Sequence, residues 1–251
     1  MIRYAFWSLA LLLIAALPGH GQSYYFGVKG GMTIGIQQWD QSFQRDPLFR
    51  YHAIAFIESL DQQDKYALFA QLGYHIKGSA IRTFGYTAQL PDGSFVDIPP
   101  QTTPFEFRNL SLTVGGKQKF AVGLDSKVYY LLGIRGDYTV STKLRPDNLD
   151  ERNIYNTIYP FDEFVNNFTF GATVGGGIQF MFSEFIGGLI EITVNPDFTN
   201  QYNQPEIPNV INPNPNFGGN TITIPERQIS NTTFEVTLGL RFLRKVIYID
   251  D

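Results

Sequence analysis

His52 and His75 are the residues in this chain whose chemistry could most readily support catalysis or metal binding. The segments that carry them flank a turn signal, DQQD at Asp61 to Asp64. If those segments pair as a hairpin, the two rings share one inward face of adjacent strands, with Glu58 and Lys77 nearby. Such a group could hold a metal or move a proton, or it could be a hydrogen-bonded pair lining a barrel lumen. A second group of carboxylates lies in RPDNLDERN, where Asp147, Asp150 and Glu151 could hold Ca²⁺ loosely. The D-x-D-x-D-G spacing of a calcium loop is absent, so a solvated acidic turn is the better account of it. GGKQK at Gly115 lacks the upstream glycine and the Ser/Thr of a phosphate loop. There is no HExxH, GxSxG or CxxC, no cysteine of any kind, and no cofactor motif, so neither a catalytic residue nor a cofactor is assigned.

The histidines and the charged residues must be positioned by extended chain, because the surrounding sequence repeats at two. In TFEVTLGLRFL, Phe234, Val236, Leu238, Leu240 and Phe242 oppose Thr233, Glu235, Thr237, Gly239 and Arg241. The same alternation recurs from Tyr25, in RYHAIAFIESL, KYALFAQLGYHIK, NLSLTVGGKQK, KVYYLLGIRGDYTV, FTFGATVGGGIQFMF and FIGGLIEITVN. A helix does not repeat at two, so these are eight strands. The stretch PFEFR before Asn109 slips phase, which predicts a bulge.

The connections alternate in length. Short turns lie at Asp61 to Asp64, Ala121 to Ser126 and Ser183 to Glu184, and long polar connections at Gln37 to Phe49, Phe84 to Thr103, Ser141 to Glu163 and Phe198 to Ile229. In an up-and-down meander this gathers the short turns at one rim and the long loops at the other, the asymmetry of outer-membrane barrels. The last connection is rich in Asn and Pro and reads as a water-facing loop with a short hairpin at TITI.

Alternation alone leaves open which face is wet, since a soluble lipocalin-like carrier would show it too. The apolar faces are bounded by aromatics, and eight residues at about 3.3 Å, tilted about 40°, rise roughly 20 Å, near the height of an outer-membrane apolar band. The opposite face alternates charges with glycine, as a narrow eight-stranded interior requires. The expectation is therefore a transmembrane barrel with Phe234, Val236, Leu238, Leu240 and Phe242 toward lipid. Its inward set is Lys29, Arg50, Glu58, Lys77, Lys117, Arg135, Asp137, Glu191, Glu235 and Arg241, mixed in sign and paired as a salt-bridge network. A filled, charge-balanced lumen makes a poor pore.

The first residues, MIRYAFWSLALLLIAALPGHGQ, combine one cation, a short apolar run and small residues before Gln22. They read as a signal peptide over 1–21, leaving 22–251 as one barrel domain. Net charge is −4 and no Lys/Arg cluster occurs, which argues against nucleic acid. The partners expected are outer-membrane lipid and a protein or surface ligand met by the loops.

The Gly-Gln end of the leader, the first strand YFGVKGGMTIG from Tyr25 and the last strand TFEVTLGLRF from Thr233 resemble the PorT-like family of small outer-membrane β-barrels of Bacteroidetes. The resemblance implies an eight-stranded barrel in a Gram-negative outer membrane. The family's named member is tied to secretion of cell-surface proteins through the type IX system, and the family offers no catalytic motif. Three functions stay open on sequence: a non-enzymatic loop-presenting scaffold, an outer-membrane enzyme with a rim site at His52 or His75, and a soluble periplasmic carrier.

Overall fold

The computed structural model describes residues 23–39, 45–61, 63–89, 93–123, 125–145, 161–211 and 221–245. The predicted signal peptide and the acidic cluster Asp147, Asp150 and Glu151 lie outside the described residues. Eight long strands form a closed antiparallel ring: β1 (Tyr24–Trp39), β2 (Asp46–Ser59), β3 (Tyr66–Thr83), β6 (Gln101–Ala121), β7 (Ser126–Lys143), β8 (Phe168–Met181), β9 (Ile186–Pro196) and β13 (Arg227–Arg244). β1 pairs β13 from Tyr24↔Arg244 to Trp39↔Ile229 and closes the barrel. Five short strands sit in the long connections: β4 (Tyr86–Gln89) with β5 (Phe95–Ile98), β11 (Ile207–Ile211) with β12 (Thr221–Ile224), and β10 (Tyr202–Gln204), which pairs the upper part of β13. No described helix is long and apolar enough to cross a membrane.

The alternation dictates an inside-out barrel. Val28, Tyr51, Leu72, Leu112, Ile134, Phe170, Ile192 and Leu238 are exposed on the outer face, Leu238 by 62%. A polar side chain in this belt, Gln118, accepts the Tyr130 hydroxyl and donates to Tyr66 Oη at 3.3 Å, both directly across from it. Inside, the buried set is charged and polar. The sheet closes on itself, so no second layer covers the apolar belt, and this architecture is a transmembrane β-barrel.

Three irregularities at the long-loop rim shape the site. The β2–β3 register shifts between Pro47 and His52. The phase slip expected at PFEFR occurs between Arg108 and Asn109, but the extra residue, Val140, is on the partner strand β7. The third follows Pro196. Between the pairs Pro196↔Thr232 and Tyr202↔Ile229 the chain advances six residues against three on β13, so three residues are extruded from the ladder. Asp197 still lies in register with Gly171 on β8 and Asn231 on β13 and points inward in phase with Glu191, Thr193 and Asn195, while the bulge that follows it re-aims Gln201 inward, and both side chains are enclosed.

Inward glycines make room for rings. A Cβ at Gly27 would come 2.8 Å from the Phe56 ring, at Gly115 2.8 Å from the Phe69 ring and at Gly177 2.8 Å from the Tyr129 hydroxyl, and each would also meet a carbonyl oxygen of the adjacent strand, at 2.1, 2.2 and 2.2 Å. Gly35 has a different duty. The shift in β2 lets β3 close over β1, and a Cβ at Gly35 would meet Gly78 O at 2.4 Å and Gly78 N at 2.8 Å. Backbone cannot yield as a flexible side chain can. Gly35→Val should therefore cost at least about 1–3 kcal/mol, the range for overpacking. It should lower the temperature at which the purified barrel loses its compact band on unboiled gels; an unchanged temperature would contradict the close approach.

Candidate functional site

The lumen is filled by ion pairs arranged in levels from the short-turn rim upward. At the lowest level Asp64, in the β2–β3 turn, accepts from Lys119 Nζ at 2.7 Å and Lys127 Nζ at 2.6 Å. Above it Glu58 binds Lys117 at 2.9 Å and also Lys119, with the Arg241 guanidinium 4.0 Å away. Arg241 stacks on Tyr25, 3.5 Å from its ring centroid, so a cation with few hydrogen bonds is held by a π-face. Next, Glu191 pairs Lys29, accepts from Tyr129 Oη at 2.8 Å and lies 3.8 Å from Lys117. Lys117 is also enclosed by rings, 4.6 Å from the centroid of Tyr129, 5.5 Å from Phe69 and 5.7 Å from Phe56. It links the two carboxylate levels.

The histidines occupy the middle. His52 and His75 are directly paired across β2 and β3 and stack with centroids 5.6 Å apart and planes 15° apart. His75 Nδ1 donates to Glu235 at 2.6 Å. His52 is held at both nitrogens by threonine hydroxyls, Thr33 and Thr237, each at 2.9 Å. One more level up, Lys77 Nζ lies 2.7 Å from Asp137 and 2.7 and 2.9 Å from the two oxygens of Asp197. Arg135 reaches the same two carboxylates, each at 3.0 Å.

Neutral amides and hydroxyls close the charged column. Ser79 donates to Gln37 at 2.5 Å and Gln37 to Asn231 at 2.9 Å. Asn231 donates to Gln201, which in turn donates to Asn109 at 2.9 Å and Thr139 at 3.0 Å. Phe107, Leu144, Tyr202 and Ile229 cluster at the same long-loop end, with Trp39, Phe164 and Val165 packed against them. Tyr202 lies outside the spanning segments; burial pushes its hydroxyl above the usual tyrosine range, and it donates to Gln204 at 2.8 Å. The cavity that remains beside Gln71, His75, Arg135, Thr173 and Glu235 is ≈ 10 Å³, about enough for one water molecule.

Of the residues singled out from sequence, Lys29, Glu58, Lys77, Lys117, Arg135, Asp137, Glu191, Glu235 and Arg241 lie buried in the lumen. Arg50 does not join them. Its side chain is 32% exposed and donates to Glu106 at the long-loop rim, where β2 is shifted from register. Phe234, Val236, Leu238 and Leu240 are exposed on the outer face, and Phe242 is half-buried there. The partner of His75 is Glu235, on β13, rather than Glu58 or Lys77; the pairing sum across β2 and β3 is two residues higher than the turn alone suggests, which sets His75 directly opposite His52. Both histidines are 3% exposed, deep in the lumen and not at a rim. No group of metal ligands forms among the described residues. Asp197 and Gln201 lie in an Asn- and Pro-rich stretch that reads as loop from sequence.

No protein-family model and no curated protein matches the sequence. Among solved structures, the chain is similar to OprG from Pseudomonas aeruginosa, at 9% identity over 88% of this chain and 96% of that one, with a TM-score of 0.46. It is similar to the protease OmpT from Escherichia coli at 10% identity over 88% and 97%, with a TM-score of 0.43. It is also similar to Ail of Yersinia pestis, in complex with the heparin analogue sucrose octasulfate, at 10% identity over 88% and 100%, with a TM-score of 0.40.

The pairing has a measurable signature. Lys29→Met or Glu191→Gln alone strands a buried charge and should cost roughly 3–5 kcal/mol in denaturant unfolding from bilayers. The double variant should lose clearly less than the sum of the singles. Strict additivity would show that the two groups are not coupled.

Proposed function

We propose that the protein is a β-barrel of a Gram-negative outer membrane that acts as a closed, non-enzymatic scaffold and presents its long connections to a partner outside the cell. One observation carries this reading: every level of the lumen is occupied by mutually paired side chains, so the barrel interior is committed to holding the wall together. The chemistry available to a partner then lies in the loops. Their outermost parts include the β4–β5 hairpin with Phe95 exposed and the β11–β12 ribbon. Loops on a rigid scaffold are where binding is usually placed.

The enclosure of His52 and His75 beneath the amide level counts against a rim active site built on them. A polar, filled interior counts against a carrier with an apolar pocket. The predicted leader directs the chain out of the cytoplasm. The resemblance of the first and last strands to the PorT-like family points the search for a partner toward surface-protein secretion.

Replacing residues 208–223 by a short linker tests the division between scaffold and loop. The shortened chain should stay in the detergent-requiring outer-membrane fraction and keep its heat-modifiable band, while losing whatever surface interaction the full chain supports. A shortened chain that unfolds, or a full chain released with the soluble periplasm, would contradict the proposal.

A further inference from the structure

The outward face of the wall is apolar through its middle, but on four neighbouring strands it turns cationic as it nears the long connections. On β6 the outward residue that follows the exposed Leu110 is Arg108. Lys143 on β7 lies directly across from Glu106, Arg82 stands near the upper end of β3, and Arg50 reaches Glu106 from β2. The corresponding outward positions of β8, β13 and β1, among them Phe168, Phe170, Ser230, Thr232 and Gln38, hold no charge. The cations are therefore gathered on one side of the long-loop rim.

The carboxylates beside them do not match them. Glu106 is taken up by Arg50, which donates to one of its oxygens through Nε at 2.7 Å and also through Nη2. Arg108 touches the other oxygen only at 3.5 Å; its Nε is buried with no hydrogen-bond partner among the described residues, and its side chain is 43% exposed. Arg82 has Asp46 at 3.4 Å and is 58% exposed. Asp162, near the same edge, accepts from the Thr142 hydroxyl at 2.6 Å. Two guanidinium forks are thus left with donors to spare, and such a fork fits the oxygens of a carboxylate or a phosphate. Height selects between these. Arg108 is one outward step above Leu110 and Tyr138, which face each other across β6 and β7, so its fork lies only about 7 Å along the strand from the apolar belt. That is the level of lipid head groups, whose anionic group is phosphate.

We propose that Arg82 and Arg108, with Arg50 and Lys143 beside them, bind the phosphate of an outer-leaflet lipid head group, whose acyl chains lie along Leu110, Leu112 and Tyr138. Glu106 acts as the positioning group: buried between Arg50 and Arg108, it holds like charges together before the lipid arrives, so little ordering is left to be done on binding. A lipid held on one side of the rim would fix the orientation of the barrel in the leaflet and the direction in which its loops are presented. This inference rests on the scaffold reading, which sets the long connections outside the cell.

Native mass spectrometry of the full-length barrel in a neutral detergent tests it, with diphosphoryl lipid A and the same lipid stripped of its phosphates as probes. The wild-type chain should retain the phosphorylated form preferentially. Arg82→Gln and Arg108→Gln together should weaken that retention by about fivefold for each arginine removed. Both side chains are exposed and the Arg50–Glu106 pair is left in place, so the variant keeps its fold. Lys65→Gln, exposed at the short-turn rim, should change nothing. Equal retention of the two lipids by the wild type, an unchanged preference in the double variant, or an equal loss in Lys65→Gln would each overturn the site. A chain that stays dissolved without detergent would sink the scaffold reading and this inference with it, whereas a detergent-requiring barrel with no phosphate preference sinks the site alone.

Discussion

A lysine or glutamate held away from water inside a narrow barrel must find an opposite charge, and this constraint organises the protein. Six lumen cations, Lys29, Lys77, Lys117, Lys119, Arg135 and Arg241, face Glu58, Asp137, Glu191, Asp197 and Glu235, with Asp64 closing the short-turn end. The partners lie on different strands: Lys29 on β1 reaches Glu191 on β9, and Lys77 on β3 reaches Asp137 on β7. Each of these pairs therefore ties together strands that are not neighbours, β1 to β9 past β13 and β3 to β7 past β6, where backbone ladders act only between neighbours. Breaking a pair costs more than the pair contributes, because the orphaned charge stays buried. A network of this kind specifies one closed register more strongly than it adds stability.

The outer face is the complement of that requirement. With polar groups consumed inside, the alternate positions are left apolar, and lipid is the solvent in which such a belt is stable. Tyr66, Gln118 and Tyr130 satisfy one another near the short-turn end of the belt, as amphipathic rings do where hydrocarbon meets water. The interior glycines follow from the same limit on space. Three rings, Phe56, Phe69 and Tyr129, can surround Lys117 only because Gly27, Gly115 and Gly177 lie beneath them.

Much of this was legible in the sequence because a period of two assigns a side chain to a face without knowledge of its partner. Glu235 and Leu238 could be placed in this way, as could all eight strands and the alternation of short and long connections. Pairings across the lumen could not, since they depend on shear and on strand extent; His75 meets Glu235, on the last strand, and nothing local announces it. Arg50 was misplaced because the register shift in β2 cannot be seen in one strand alone. Gln201 is hidden for a related reason, since the extruded residues become visible only against β13, whereas Asp197 extends the inward alternation of β9 past Pro196 into a stretch whose composition reads as loop. The β4–β5 hairpin does carry a sequence signal, the tripeptide Pro-Asp-Gly at 91–93 between alternating residues, which the length of that connection obscures.

The absence of cysteine from the chain makes the central claim directly accessible, because any single thiol introduced is the only one present. Spin-labelled single cysteines at each position from Thr233 to Phe242 can be read in liposomes for collision with oxygen and with a water-soluble nickel chelate. Oxygen accessibility should peak at Phe234, Val236, Leu238, Leu240 and Phe242 and fall at the positions between, with the chelate excluded throughout the middle of the strand. Access of the chelate to Val236, Leu238 and Leu240, or no alternation at all, would contradict a barrel whose apolar face meets lipid and whose charges are enclosed.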